Sequence, residues 1–360
     1  MGDELEFLKK RAIAVALAAC WAMGTAPAFA FAADSGQQNA IASPAPARAT
    51  KIFTDDSGAN VAIPVTVQRI VTLAPNLTET VYALGLEDKL AADTSYCDTP
   101  PAAKNKPHVG GAINPNLEAI VAVHPDVVLA TTMTTRETVD AMRKIGLAVY
   151  YTDPHTVRGM LETTQKIADV TGAPEKGTEL VASLQARLDA LRAKLAERPL
   201  QHVLFVVQED PLITIGQNTF VADALRWAGS EPAIMMTQDW PQVSMEEVLR
   251  VEPDYIVLTP DHAETNNSKE VEEMQARPVW RELRAVKLGR IALADEEFIR
   301  PSPGLVGSIE RLARQLHPEI FNAPPATPQS APGATPTGDA AKPTSSELRD
   351  EAKECAACGR

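Results

Sequence analysis

The chain has few aromatic residues: phenylalanine, tryptophan and tyrosine together make up 5% of 360 positions. A large flat ligand is normally held by several aromatic or apolar groups, so any ring near a binding position carries weight here. Positive charge is also scarce. A formal net charge of -13 argues against nucleic acid as a partner, because phosphate contact needs a basic face. The four cysteines form no disulfide framework. Cys20 lies near the N terminus, Cys97 stands alone, and Cys355 and Cys358 make a C-x-x-C near the C terminus with no second pair. That pair reads as incidental or as a local disulfide.

Enzyme signatures are missing too. There is no Walker loop and no G-x-G-x-x-G opening a βαβ unit, and Gly304-Leu305-Val306-Gly307-Ser308 is not G-x-S-x-G. No Ser, His and Asp triad follows from the spacing, so no catalytic residue is assigned. His108, His124, His155, His202, His262 and His317 are scattered without ligand spacing. They read as surface or structural histidines, and no metal site is assigned.

No apolar run is long enough to span a membrane convincingly. The run from Ala12 to Met23 follows Lys9, Lys10 and Arg11 and precedes Pro27 and Ala28-Phe29-Ala30. This predicts a signal peptide over residues 1–33, with cleavage after Ala30 or Ala33. Leu17-Ala18-Ala19-Cys20 overlaps it as a lipobox, in which Cys20 would become an acylated N terminus. Both routes export the chain, giving a periplasmic protein that is soluble or, through Cys20, anchored to the membrane surface.

Residues 34–60 read as linker and lead-in, rich in Ala, Pro, Gln and Ser up to Ala49. Residues 323–360 read as a disordered tail rich in Pro, Ala and Thr. The body between them alternates short apolar runs with helical patterns. Arg69 to Leu73 predicts a strand, followed by a helix capped by Asn76 with Glu79 as its reciprocal partner. Asp126 to Ala130 and Leu147 to Thr152 predict further strands, with a helix from Arg136 to Lys144. A long helix is predicted over 175–198, where Leu180, Leu184, Leu188, Leu191 and Leu195 make one apolar stripe. About 24 residues at ~1.5 Å each give a rod of about 36 Å. Strand and helix patterns then resume with His202 to Val207, Asp254 to Leu258 and Arg290 to Ala294, and a helix from Gly304 to Leu316 closes the body. The fold class is α/β: two lobes with mainly parallel sheets, at 61–174 and 199–322, joined by a single long rigid helix.

The halves share a repeat. Leu117 to Asp126 aligns with Met245 to Asp254, and Glu246 stands 128 residues after Glu118. Each segment is a helix ending in Pro-Asp before an apolar strand. Asn114 and Pro115 suit the start of the first helix, and Ser244 with Glu247 predicts a capping box at the second. Glu118 and Glu246 favour helix N-termini in any case. Their equivalence also suits docking on paired arginines of a two-fold partner.

With these elements in place the body resembles a known family, the periplasmic binding proteins of ABC importers for cobalamin, haem and ferric siderophores. Leu73 to Glu79 with Ala83-Leu84-Gly85 is similar to the family's opening strand and helix, and Ser95 to Pro101 to its first cleft loop. Val109-Gly110-Gly111 through Glu118, Asp239 to Ser244 and Phe298 to Pro303 carry the rest. Trp240 to Ser244 is closest to the cobalamin-binding members. The resemblance implies a non-enzymatic carrier, without cofactor, that passes a small molecule to a transmembrane permease dimer. It makes Tyr96, Trp240, Arg300 and Glu296 cleft residues and Glu118 and Glu246 the permease-docking pair. Pro75, Asn76, Gln208 and Phe298 join the cleft as residues of strand-end loops. The implied ligand is cobalamin or a related corrinoid, with haem and ferric siderophores as alternatives. One departure stands out: Gly111-Ala112 occupies the place beside which cobalamin binders have a tryptophan.

Overall fold

The computed structural model describes residues 48–259 and 267–321. The predicted signal peptide with Cys20, most of the linker, and the tail with Cys355 and Cys358 lie outside the described residues. No described helix is long and apolar enough to cross a membrane.

Part of the predicted lead-in is structured. Strands β1 (Thr50–Thr54) and β2 (Asn60–Pro64) pair antiparallel as a hairpin. Alternation along β2 turns Val61 and Ile63 into the core. In the turn Asp55, fully buried at its carboxylate, pairs with Arg143 and accepts the backbone N–H of Tyr151. The hairpin is thereby tied to the first lobe.

That lobe is built on β3 (Ile70–Thr72), β4 (Leu90–Ala92), β5 (Val127–Thr131) and β6 (Val149–Thr152), all parallel, in spatial order β4-β3-β5-β6. Strand β5 is buried along its whole length, as a parallel strand covered on both faces must be. Separate apolar clusters fill the two faces. Between β3 and β4 runs α1 (Pro75–Ala83); between β4 and β5, α2 (Leu117–Ala122); and between β5 and β6, α3 (Arg136–Lys144) with Thr135 as its N-cap.

Helices α4 (Val157–Val170) and α5 (Pro174–Leu195) follow and pack on each other. Pro174 starts α5, where its missing N–H costs nothing. The helix ends at Leu195, short of Arg198. Its leucines at 184, 188, 191 and 195 sink into the second lobe's core, and Leu180 touches the cores of both lobes.

In the second lobe β7 (Gln201–Val206) is followed by a small hairpin, β8 (Gln208–Glu209) and β9 (Leu212–Ile213). Helix α6 (Phe220–Trp227) leads to β10 (Ser230–Pro232), and α7 (Met245–Val251) to β11 (Tyr255–Leu258). Strand β12 (Ile291–Leu293) completes a parallel sheet in the order β10-β7-β11-β12. In each lobe the second strand lies outside the first and the third lies on the first strand's other side. The two sheets therefore have the same topology.

Candidate functional site

In an open sheet of this order, chain crossovers leave in opposite directions beside the first strand, so the carboxyl ends of the first and third strands frame a crevice. The largest cavity described opens there, with a volume of about 660 Å³. Pro75 and Asn76 line it after β3, Ser95, Tyr96 and Asp98 after β4, and Thr131, Thr132 and Met133 after β5. Glu296, Ile299, Arg300 and Pro301 close it from the loop after β12 in the other lobe. The cavity thus lies between the lobes.

Tyr96 is held out into this space by a braced loop. Behind it, buried Asp93 bonds His108 Nδ1 at 2.7 Å, and the backbones of the two residues bridge. Burial pushes the Asp93 carboxyl above its ordinary range, against the lowering effect of His108. Ser95 N–H donates to the Gly110 carbonyl at 3.0 Å. Buried Cys97 anchors the far side through Thr78 and Thr94, whose hydroxyls lie 3.1 and 3.2 Å from its sulfur. Gly110 has φ +93, and a Cβ there would meet the Asn116 backbone N at 3.1 Å. Gly111 runs beside the Tyr96 ring, where a Cβ would touch it at 3.5 Å.

Arg300 is the one cation among the described residues lining the cavity. Its Nη1 donates to Glu79 Oε1 at 3.0 Å across the lobes, and its Nη2 to Glu296 Oε2 at 2.6 Å. This corrects the predicted start of α1. The N-cap is Ala74, with Pro75 in the first turn and no side-chain cap. Asn76 sits inside the helix and lines the cavity, while Glu79 turns to Arg300 instead of back to the helix end. Burial raises the Glu79 carboxyl above its ordinary value of 4.5, outweighing the pull of Arg300.

Other expected cleft residues are placed differently. Phe298 is fully buried and stacks on Phe205 with ring centroids 6.0 Å apart. It is a core residue of the second lobe, not a ligand contact, because the short 3-10 turn at Glu296–Ile299 points it inward while Glu296 and Ile299 face the cavity. Gln208 is exposed in the β8–β9 hairpin, donates to the Asp210 carbonyl at 2.9 Å, and does not line the cavity. Trp240 is half exposed on a strip whose Asp239 and Pro241 carbonyls accept N–H bonds from Gly216 and Thr214. That strip follows the loop leaving the carboxyl end of β7. Trp240 does not line the cavity. Met133 and Ile299, both exposed and apolar, were not singled out in the sequence. The end of the β5 run pointed to the first; nothing periodic pointed to the second.

Glu118 and Glu246 are both exposed in the first turns of α2 and α7. Asn116, not Asn114 or Pro115, caps α2, its side chain accepting from Ala119 N–H at 3.1 Å. Ser244 caps α7 by accepting from Glu247 N–H, but the capping box is not closed: the Glu247 carboxylate is taken by Arg250 at 2.5 Å. No group of three or more His, Cys, Asp or Glu that could hold a metal ion occurs among the described residues.

Comparison with known proteins agrees with this architecture. A family model described as periplasmic binding protein matches residues 70–298. The chain is 29% identical over 276 residues to an uncharacterized ABC transporter substrate-binding lipoprotein, YvrC, of Bacillus subtilis, covering 74% of this chain and 85% of that one. It is 27% identical over 251 residues to the vitamin B12-binding protein of Yersinia pestis, covering 69% and 86%. Its fold matches the periplasmic vitamin B12-binding protein BtuF of Vibrio cholerae with a TM-score of 0.62 at 25% identity, covering 71% and 99%. The chain belongs to the periplasmic binding protein family. It is a periplasmic substrate-binding protein of the ABC-importer type, a non-enzymatic component of transport.

Proposed function

We propose that this protein captures cobalamin or a related corrinoid in the interlobe cavity and delivers it to an importer permease. The observation that carries the reading is the composition of that cavity. Tyr96, Met133 and Ile299 offer exposed apolar surface from both lobes, and Arg300 and Asn76 offer hydrogen bonds beside it. A corrin ring is large and stiff, with amide groups at its edge, so a preformed apolar cleft with a few polar contacts suits it at little ordering cost. The vitamin B12-binding relatives support the same ligand. Exposed Glu118 and Glu246, one per lobe at equivalent helix starts, form the docking pair for two-fold-related basic residues of the permease. Titration of the purified protein with cyanocobalamin and with dicyanocobinamide, followed by calorimetry, tests the reading. Saturable binding of one ligand per chain is expected; absence of binding to both would overturn it.

A further inference from the structure

The only cation described in the cleft is already matched by acids from both lobes. Glu79 holds one side of the Arg300 guanidinium and Glu296 the other. Asp98 lines the same cavity from the opposite lobe, and no lysine or second arginine does so among the described residues. Among the described lining residues, even with a proton on Glu79, Glu296 balances Arg300 and Asp98 leaves an excess of negative charge. An entering carboxylate would face these acids, or would have to displace one of them from Arg300. Like charges brought together in the cleft repel.

We propose that the cleft selects by charge, admitting neutral or cationic amide-bearing ligands and rejecting net-anionic, carboxylate-bearing ones of equal size, with Glu296 and Glu79 setting that choice. The proposal rests on the corrinoid reading and narrows it to corrinoids whose edge groups are amides. Glu296 faces the cavity and supplies the repulsion directly. Glu79 acts from beneath, fixing the guanidinium from the other lobe so that it cannot swing out to meet an anion.

A matched pair of probes tests this: dicyanocobinamide and the monocarboxylate made from it by hydrolysing one side-chain amide. Both are titrated into the full chain and into Glu296→Gln and Glu79→Gln variants, with folding checked by circular dichroism. Glu296 is solvent-facing, so its variant serves should the buried Glu79 variant misfold. The wild type should bind the amide at least about tenfold more tightly than the carboxylate, and the ratio should shrink by about threefold or more in Glu296→Gln. Equal binding, or a preference for the carboxylate, overturns charge selection and leaves the corrinoid reading standing. A wild-type preference that neither variant changes overturns the assignment to these two acids. If neither corrinoid binds, the corrinoid reading falls, and charge selection is decided by hemin against its diamide in the same proteins: tighter hemin binding overturns it, tighter diamide binding supports it.

Discussion

His124 and Glu252 occupy the same left-handed backbone conformation, with φ of 47° and 46°, at equivalent points of the repeat. Each ends a short helix, precedes Pro-Asp and turns the chain into a parallel strand. The aspartates that follow do the same work in both lobes. Asp126 accepts the N–H groups of Gln68 and Arg69 at 2.7 and 3.0 Å, and Asp254 accepts that of His202 at 3.0 Å. The repeat is thus a shared backbone device. It aims two helices so that their first turns, with Glu118 and Glu246, are presented alike. Non-glycine residues pay roughly 1–2 kcal/mol in this region, partly offset by glycine's greater freedom when unfolded. His124→Gly and Glu252→Gly should each stabilise the protein by about 0.5–1 kcal/mol. Urea denaturation of each variant checks this, and a loss of stability at both positions would contradict it.

Phe298 sits two residues before Arg300 yet faces the opposite way, onto Phe205. Its role is to seat the turn that presents Glu296 and Arg300. Truncation to alanine removes a fully buried ring and should cost about 3–5 kcal/mol. A urea midpoint close to that of the wild type would show that the ring is not part of the core.

Glu79 links cleft and stability through pH. Burial raises its carboxyl above 4.5 in the folded state, so the folded protein holds this proton more tightly than the unfolded chain does. Its contribution is therefore fully present below the ordinary value and is lost as pH rises through the raised one. Glu79→Gln cannot titrate and lacks that decline. Measured by urea midpoints from about pH 4 to about pH 8, the stability difference should move in favour of the variant as pH rises. A flat difference, or one moving the other way, would refute the raised carboxyl.

Much of this architecture was legible in the sequence because its signals are local. The run at β5 is apolar from Val127 to Ala130, and α3 carries both its cap, Thr135, and its basic last turn, Arg143 and Lys144. The strand-end rule then pointed to Pro75 and Asn76, and the family resemblance to Tyr96; all three line the cavity. What escaped was long-range or lacked a period. Glu79 and Arg300 stand 221 residues apart, and Glu79 at three positions past Asn76 looked like a local cap partner. Phe298 lies in a turn too short to show which way its side chains alternate. The β1–β2 hairpin was hidden by the Pro- and Ala-rich composition running into it, although Val61 and Ile63 alternate as a half-buried strand should.

Cys97 is a buried thiol between two threonine hydroxyls. Burial pushes its ionisation above the ordinary value of 9.0, and the thiolate is the reactive form. Iodoacetamide should leave the Cys97 peptide unlabelled in the native protein and label it once denaturant is added. Mass mapping of peptides reads this directly; labelling at native pH in step with an exposed thiol would show that the cleft loop opens freely.

The docking proposal makes the sharpest separation between capture and delivery. Glu118 and Glu246 lie outside the cavity lining, at the N-terminal ends of α2 and α7. Their charges are exposed, so reversing them removes little packing. Rim charges act mainly on encounter and orientation with a partner, while ligand affinity is set inside the cleft. The double change Glu118→Arg, Glu246→Arg should therefore abolish transport in a reconstituted importer while ligand affinity stays near that of the wild type. Each single change should weaken docking less than the pair does. Loss of ligand affinity with docking intact would mean that the two roles are assigned to the wrong residues, and transport surviving the double reversal would remove the glutamates from the interface altogether.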